Sequence, residues 1–167
     1  MNEHAEPPES VNTFFANAAG TIYGVLAVAT VIAAEGTRQE TTGKVLGASV
    51  ITMILYWLAH AYAHHLGSRL REPATWSFHE IFVSLAAAAS ILVGAAIPVL
   101  AMLGAWLAGG TLESGVTAAL WCAGVELVGF ELVASIRRHL GVRDLLVETS
   151  IGLAFGLGIL GIRLLLH

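Results

Sequence analysis

Three histidines stand close together inside an apolar run of the chain. They are His60, His64 and His65, in the segment YWLAHAYAHH at residues 56–65. Because His60 and His64 are four residues apart, a helix would present both imidazoles on one face together with Tyr56. Zinc and di-metal sites use this spacing. His65 would point well away from His60 and is expected to be hydrated or packed near the membrane interface.

Carboxylates from other helices are the groups that would complete a metal site around these imidazoles. Glutamates occur at positions 80, 131 and 148, each in or beside a different apolar run. Paired carboxylates and histidines on facing helices bind metals in several helix bundles. The sequence therefore predicts a candidate site for a divalent metal formed by His60, His64, Glu131 and Glu148.

The same residue types can also carry protons through a membrane. Glu126 falls near the middle of its apolar run, and no basic residue lies one turn away from it. At that depth a glutamate must find a donor on another helix, line water or be protonated. The sequence therefore offers a proton or ion path through Glu126, Glu131, His60, His64 and Tyr56 as a second hypothesis. The other half of such a path has only serine and threonine to offer.

Several other interpretations of the polar residues stay open. The histidine run at 60–65 resembles the histidine boxes of membrane desaturases and hydroxylases over six residues, but those families need several boxes. A metal or haem site that carries out no redox reaction is another alternative. An enzyme is less favoured than a protein without catalytic activity. His79 and Glu80 are near enough to the interface to be simply hydrated. The whole cluster would then only hold helices together, as in a structural or accessory subunit.

The composition indicates that a bilayer, and not water, surrounds these residues. The chain has 167 residues, of which 56% are hydrophobic and 12% charged, with a mean hydropathy of +0.76. Soluble domains have about 25% charged residues. The net charge of −4 comes without a basic patch, which argues against nucleic acid as a partner. The single cysteine, Cys122, excludes an intrachain disulfide and a zinc site built on cysteines.

The apolar runs predict an all-α, polytopic membrane helix bundle with about five transmembrane helices. Residues 1–12 contain Pro7, Pro8 and three glutamates and are predicted to be a solvated tail. Residues 13–167 are predicted to form one transmembrane domain. The third span is longer than a bilayer requires, so it must tilt, protrude or kink, with Pro98 as the kink site. The predicted spans are about 13–34, 45–66, 80–108, 115–136 and 145–166.

Because successive spans cross the membrane in opposite directions, most of the ionisable groups within them fall in one half of the membrane. We call the side that holds the amino terminus side A and the opposite side side B. Side A receives five arginines against three basic residues on side B, which favours a cell-membrane protein with a cytoplasmic amino terminus. Arg38 and Lys44 follow the first span directly and favour the opposite orientation. His60, His64, Glu131 and Glu148 all fall in the half of the membrane near side A.

Two pairs of glycines form small-residue faces that allow close helix approach. Gly20 and Gly24 lie in the first span, and Gly152 and Gly156 in the fifth, each pair four residues apart. Such faces pack against another helix of the same chain or against a second copy in a homo-oligomer. The sequence leaves both uses open.

Two stretches carry a resemblance to other proteins. They are residues 12–24, NTFFANAAGTIYG, and residues 57–64, WLAHAYAH. Both resemble small uncharacterised bacterial multi-pass integral membrane proteins of about this length. The resemblance would cover most of the chain. It implies a multi-pass membrane protein and no particular activity.

Overall fold

The computed structural model describes residues 9–38, 41–71 and 78–137 of the chain, with four single positions beyond them. Within α1 and near the ends of α2 and α5, some side chains also lie outside the description. The predicted fifth span, 145–166, falls outside the described residues apart from those single positions. Glu148, Gly152 and Gly156 therefore keep the status of sequence predictions.

The described part of the chain is built from α-helices, which confirms the predicted fold class. Four stretches are long and apolar enough to cross a bilayer: Ala18–Arg38, Thr42–Gly67, Ala89–Leu107 and Leu112–Val133. The first helix begins before its predicted span, inside the segment predicted to be a solvated tail. The helices are α1 (Glu9–Arg38), α2 (Thr42–Arg71), α3 (Phe78–Ala87), α4 (Ala89–Leu107) and α5 (Leu112–Arg137).

The predicted third span consists of two helices, α3 and α4, and the interruption lies at Ala88. The sequence pointed to Pro98 instead, but α4 continues through Pro98, whose side chain is buried. At the interruption the Ala88 N–H still donates to the Ser84 carbonyl at 3.1 Å, and the Ile91 N–H donates to the Ala88 carbonyl at 3.1 Å. The second bond spans three residues, so the chain tightens here before α4 begins.

Trp57 of α2 stabilises this interruption. Its indole Nε1–H donates to the Leu85 carbonyl oxygen at 3.0 Å. In an uninterrupted helix that carbonyl would accept from the N–H four residues later, at Ala89. The interruption frees the carbonyl, and a half-buried carbonyl needs another donor. The tryptophan supplies it and ties α2 to α3.

The turn from α4 to α5 follows from two consecutive glycines. Gly109 has a φ of 81°, a backbone conformation that side chains with a Cβ disfavour. Its N–H donates to the Trp106 carbonyl at 3.0 Å, and the Gly110 N–H donates to the Ala105 carbonyl at 2.9 Å. This pair of bonds is a Schellman motif, which satisfies the last carbonyls of α4. α4 therefore ends at Leu107, while the predicted span extends to residue 108.

α1 and α4 run parallel and cross at close range. A Cβ placed on Gly24 would lie 2.9 Å from the Ile91 carbonyl carbon and 3.1 Å from the Ala95 nitrogen. A Cβ on Gly20 would meet the Ser90 side chain. Both glycines are buried, so the small-residue face of α1 is used inside the chain against α4.

The main core joins α1, α2, α4 and α5. It lies toward side B, where α1 ends and α2 begins. A smaller second cluster of Ala61, Ala88 and Ile91, with Trp57 and Leu85 packed against it, joins α2 to the α3–α4 interruption. The buried members of the main core are Val25, Val28, Ala29, Ile32, Ala33, Val45, Leu46, Ala95, Val99, Met102, Val116, Ala119, Leu120, Ala123 and Leu127.

Candidate functional site

The three histidines of α2 have different environments. His60 and His64 are exposed on the outer surface of the bundle, as is Tyr56, which is 37% exposed. His65 is buried, with 8% of its surface exposed. The sequence grouped His60 and His64 as the pair that other helices of the chain would cover. Within the described structure the covered imidazole is His65.

Helical phase explains why His65 is the buried histidine. Trp57, Ala61 and His65 follow one another at four-residue spacing and share one face of α2. Trp57 and Ala61 belong to the cluster at the α3–α4 interruption, so this face of α2 turns toward α3 and α4. Tyr56, one residue before Trp57, begins the neighbouring face and therefore points outward.

The carboxyl group of Glu126 is buried in α5. Both of its oxygens are shielded, and neither has a hydrogen-bond partner within the described residues. Gly115 lies eleven residues, about three turns, before Glu126 and so points in nearly the same direction. A Cβ on Gly115 would lie 3.3 Å from Met102 Cγ of α4. Glu126 therefore sits on the flank of α5 that turns toward α4, in apolar surroundings.

Glu131 lies about 7 Å further along α5 toward side A, counted at the rise of a helix. It is half-buried. The two glutamates are five residues apart, so they point to different flanks of the helix.

Among the described residues, the structure does not bring His60, His64 and Glu131 together. α2 packs on α1, α3 and α4, whereas α5 packs on α1 and α4. The described residues contain no group of three or more histidine, cysteine, aspartate or glutamate side chains placed to hold a metal ion. His60 and His64 thus lack Glu131 as a neighbour in the described chain, and Glu148 lies outside it. The predicted ligand set stays a prediction.

The residues expected at the interface begin α3. His79 is exposed and Glu80 is half-buried in the first turn of this helix. An acidic side chain in a first turn interacts favourably with the helix dipole, which is a structural reason for Glu80. Phe78 beside them is 85% exposed. Their predicted place at the membrane interface stays a prediction.

Sequence reasoning missed two of the residues that organise this half of the molecule. The indole of Trp57 donates a hydrogen bond from α2 to α3, a contact that the sequence did not indicate. His65 was set aside, yet it is buried. The four-residue spacing of Trp57, Ala61 and His65 was the available signal. It was ambiguous, because α2 is apolar on both the covered and the uncovered face.

A scan against protein-family models and searches among curated proteins and solved structures found no match to the chain.

Proposed function

We propose that this multi-pass membrane protein moves protons or binds a cation through ionisable groups in the half of the membrane near side A. Four helices that can cross a bilayer provide the membrane setting. The observation that carries the proposal is the buried carboxyl group of Glu126, which has no hydrogen-bond partner among the described residues. The protein lies in the cell membrane with its amino terminus in the cytoplasm, as the distribution of arginines favours.

The environment of Glu126 limits the forms that its carboxyl group can take. An ionised carboxylate without a partner in apolar surroundings is strongly disfavoured. The side chain therefore remains there either as the neutral acid or with a cation beside it. A group that alternates between these two forms takes up and releases a proton or a cation, which is the elementary step of transport.

Other groups extend this step toward side A. Glu131 follows Glu126 along α5, and His65 is buried in the same half of the membrane. The proton path predicted from the sequence consists of Glu126 and Glu131 of α5 with His60, His64 and Tyr56 of α2. A histidine near neutral pH both accepts and donates protons, so it suits the outer part of such a path.

Proton flux across a vesicle membrane tests the proposal. Purified protein is reconstituted into liposomes that contain a pH-sensitive dye, and a potassium gradient with valinomycin drives the flux. We expect Glu126→Gln to lower the protein-dependent flux by at least about tenfold, because the amide keeps the shape but cannot be ionised. Glu113→Gln is the matched control, since Glu113 is exposed at the start of the same helix.

Two further measurements complete the test. Elemental analysis of the purified protein reports a bound cation, and gel filtration with circular dichroism shows whether both variants are folded. A folded Glu126→Gln protein that conducts protons and binds cations as the unchanged protein does would refute the proposal. Loss of flux in Glu113→Gln to the same extent would refute it as well, because the effect would then not be specific to the buried group.

A further inference from the structure

The outer face of α2 carries three polar side chains among apolar ones. Tyr56, His60 and His64 are exposed there, inside the span Thr42–Gly67. Ionisable side chains within a membrane face a protein interior or a water-filled cavity, because their exposure to lipid is costly. Only 22% of the apolar window of α2 is buried, against 44% for α1, so α2 is largely uncovered within one chain.

Small residues lie beside the two exposed histidines. Ala59, Ala63 and Gly67 repeat at four-residue spacing. Ala59 and Ala63 are exposed, and a Cβ placed on Gly67 would meet nothing within 4 Å. A stripe of this kind lets a second helix approach closely. The comparable face of α1, with Gly20 and Gly24, is covered by α4, whereas this one has no covering helix among the described residues.

His60 and His64 form half of a metal site. They are one turn apart on one face, which is the spacing at which a helix gives two imidazoles to one ion. Structural zinc takes four ligands in a tetrahedral arrangement. His65 points well away from this pair, and the described part of the chain offers the pair no third ligand.

A second copy supplies the missing half. A two-fold axis along the membrane normal sets two α2 helices side by side and parallel, with the same residues at the same depth. We propose that α2 pairs with α2 of a second copy through this face, and that His60 and His64 of both copies bind one divalent zinc-type cation. The close approach that this requires is provided by Ala59, Ala63 and Gly67. The inference goes beyond the proposed function, because the paired site lies on α2 and does not include Glu126.

The mass and zinc content of the full-length protein test the pairing. Protein purified in a mild detergent is stripped with EDTA and then given Zn²⁺, and its mass is followed by sedimentation. We expect a dimer with one zinc ion for two chains, as four-coordinate zinc requires. His60→Ala/His64→Ala should remove both the zinc and the dimer. His79→Ala is the matched control, because His79 is an exposed histidine on another helix.

Cysteine crosslinking keeps the four imidazoles and so does not depend on the folding of the histidine variant. In a Cys122→Ala background, Ala63→Cys should form a disulfide-linked dimer when Zn²⁺ is present and much less of it in EDTA. Val93→Cys, at an exposed position of α4, should not form a disulfide-linked dimer. Sedimentation and zinc content report on this pairing, whereas proton flux in liposomes reports on Glu126, so failure of one test can be told from failure of the other.

Three outcomes would overturn the inference. The first is a protein that stays monomeric with Zn²⁺ or binds the ion one to one. The second is a dimer that persists in EDTA and in the histidine variant. The third is a different protein that copurifies with the chain and blocks Ala63→Cys from crosslinking.

Discussion

The two halves of α2 have opposite environments. Near side B, Thr42, Val45, Leu46 and Ser49 are buried against the other helices. From residue 51 to residue 66 most side chains are exposed, and the buried ones are confined to the face of Ala61 and His65. The same helix therefore helps to form the core at one end and leaves most of its surface uncovered at the other.

This difference separates stability from chemistry. The side B half holds the main apolar core, with no titratable group among its members. The side A half holds the histidines of α2 and α3. Glu131 of α5 also lies toward side A. A close-packed core fixes the positions of the helices. The open half can then carry groups whose protonation or ligands change without repacking that core.

Truncation of a core side chain should show the largest contrast between the two environments. Ile32 of α1 is fully buried in the main core, whereas Ile51 of α2 is 60% exposed. We expect Ile32→Ala to lower the free energy of unfolding by about 3 kcal/mol, because it leaves a cavity. Ile51→Ala, the matched control, should change it by less than about 0.5 kcal/mol. Titration with SDS in mixed micelles measures both, and equal losses would contradict the division into a packed and an open half.

A single methyl group should test the helix crossing that supports the core. In Gly24→Ala the new Cβ would collide with backbone atoms of Ile91 and Ala95, which cannot move away as a flexible side chain would. We expect a loss of about 2 kcal/mol from this overpacking.

Gly47→Ala is the control for the crossing, since a Cβ there would meet nothing within 4 Å. The free energy of unfolding should stay the same or rise by up to about 1 kcal/mol, because alanine favours a helix over glycine. A destabilisation of similar size in both variants would show that glycine is required for some reason other than the α1–α4 crossing.

The fold class and some helix ends were predictable from sequence. Low charge and long apolar runs are sufficient to predict membrane helices, since a bilayer leaves few other structures possible. The end of α4 was predictable as well, because consecutive glycines such as Gly109 and Gly110 mark a helix terminus by their own backbone preferences. These features depend on the local amino-acid sequence and not on contacts between helices.

The orientation of α2 and the interruption at Ala88 were not predictable in the same way. Which face of α2 turns inward depends on what the neighbouring helices offer, and an apolar helix in a membrane has no hydrophobic contrast to reveal it. At Ala88 the sequence is a run of alanines without glycine or proline. The indole of Trp57 satisfies the freed carbonyl from 28 residues away, so the cause is tertiary.

Removal of that indole donor should have a smaller effect than the changes in the core. Trp57→Phe keeps an aromatic ring but leaves the Leu85 carbonyl without its donor. We expect a loss of about 1.5 kcal/mol, within the cost of an unsatisfied half-buried group. Trp106→Phe is the control, as Trp106 is 47% exposed. An equal, negligible effect of both changes would mean that packing alone holds α3 on α2, and that the open half lacks a specific polar contact.

The smallest effect is expected at the turn that joins α4 to α5 on side B. Gly109→Ala places a Cβ on a residue with a φ of 81° and should cost about 1 kcal/mol of the free energy of unfolding. Gly104→Ala, within α4 and with nothing within 4 Å of its new Cβ, should cost nothing. Because this turn lies at the packed end of the bundle, the loss should appear in SDS titration while zinc binding at α2 stays unchanged. A change in zinc binding would show that the two halves are coupled, and that the separation of stability from chemistry does not hold.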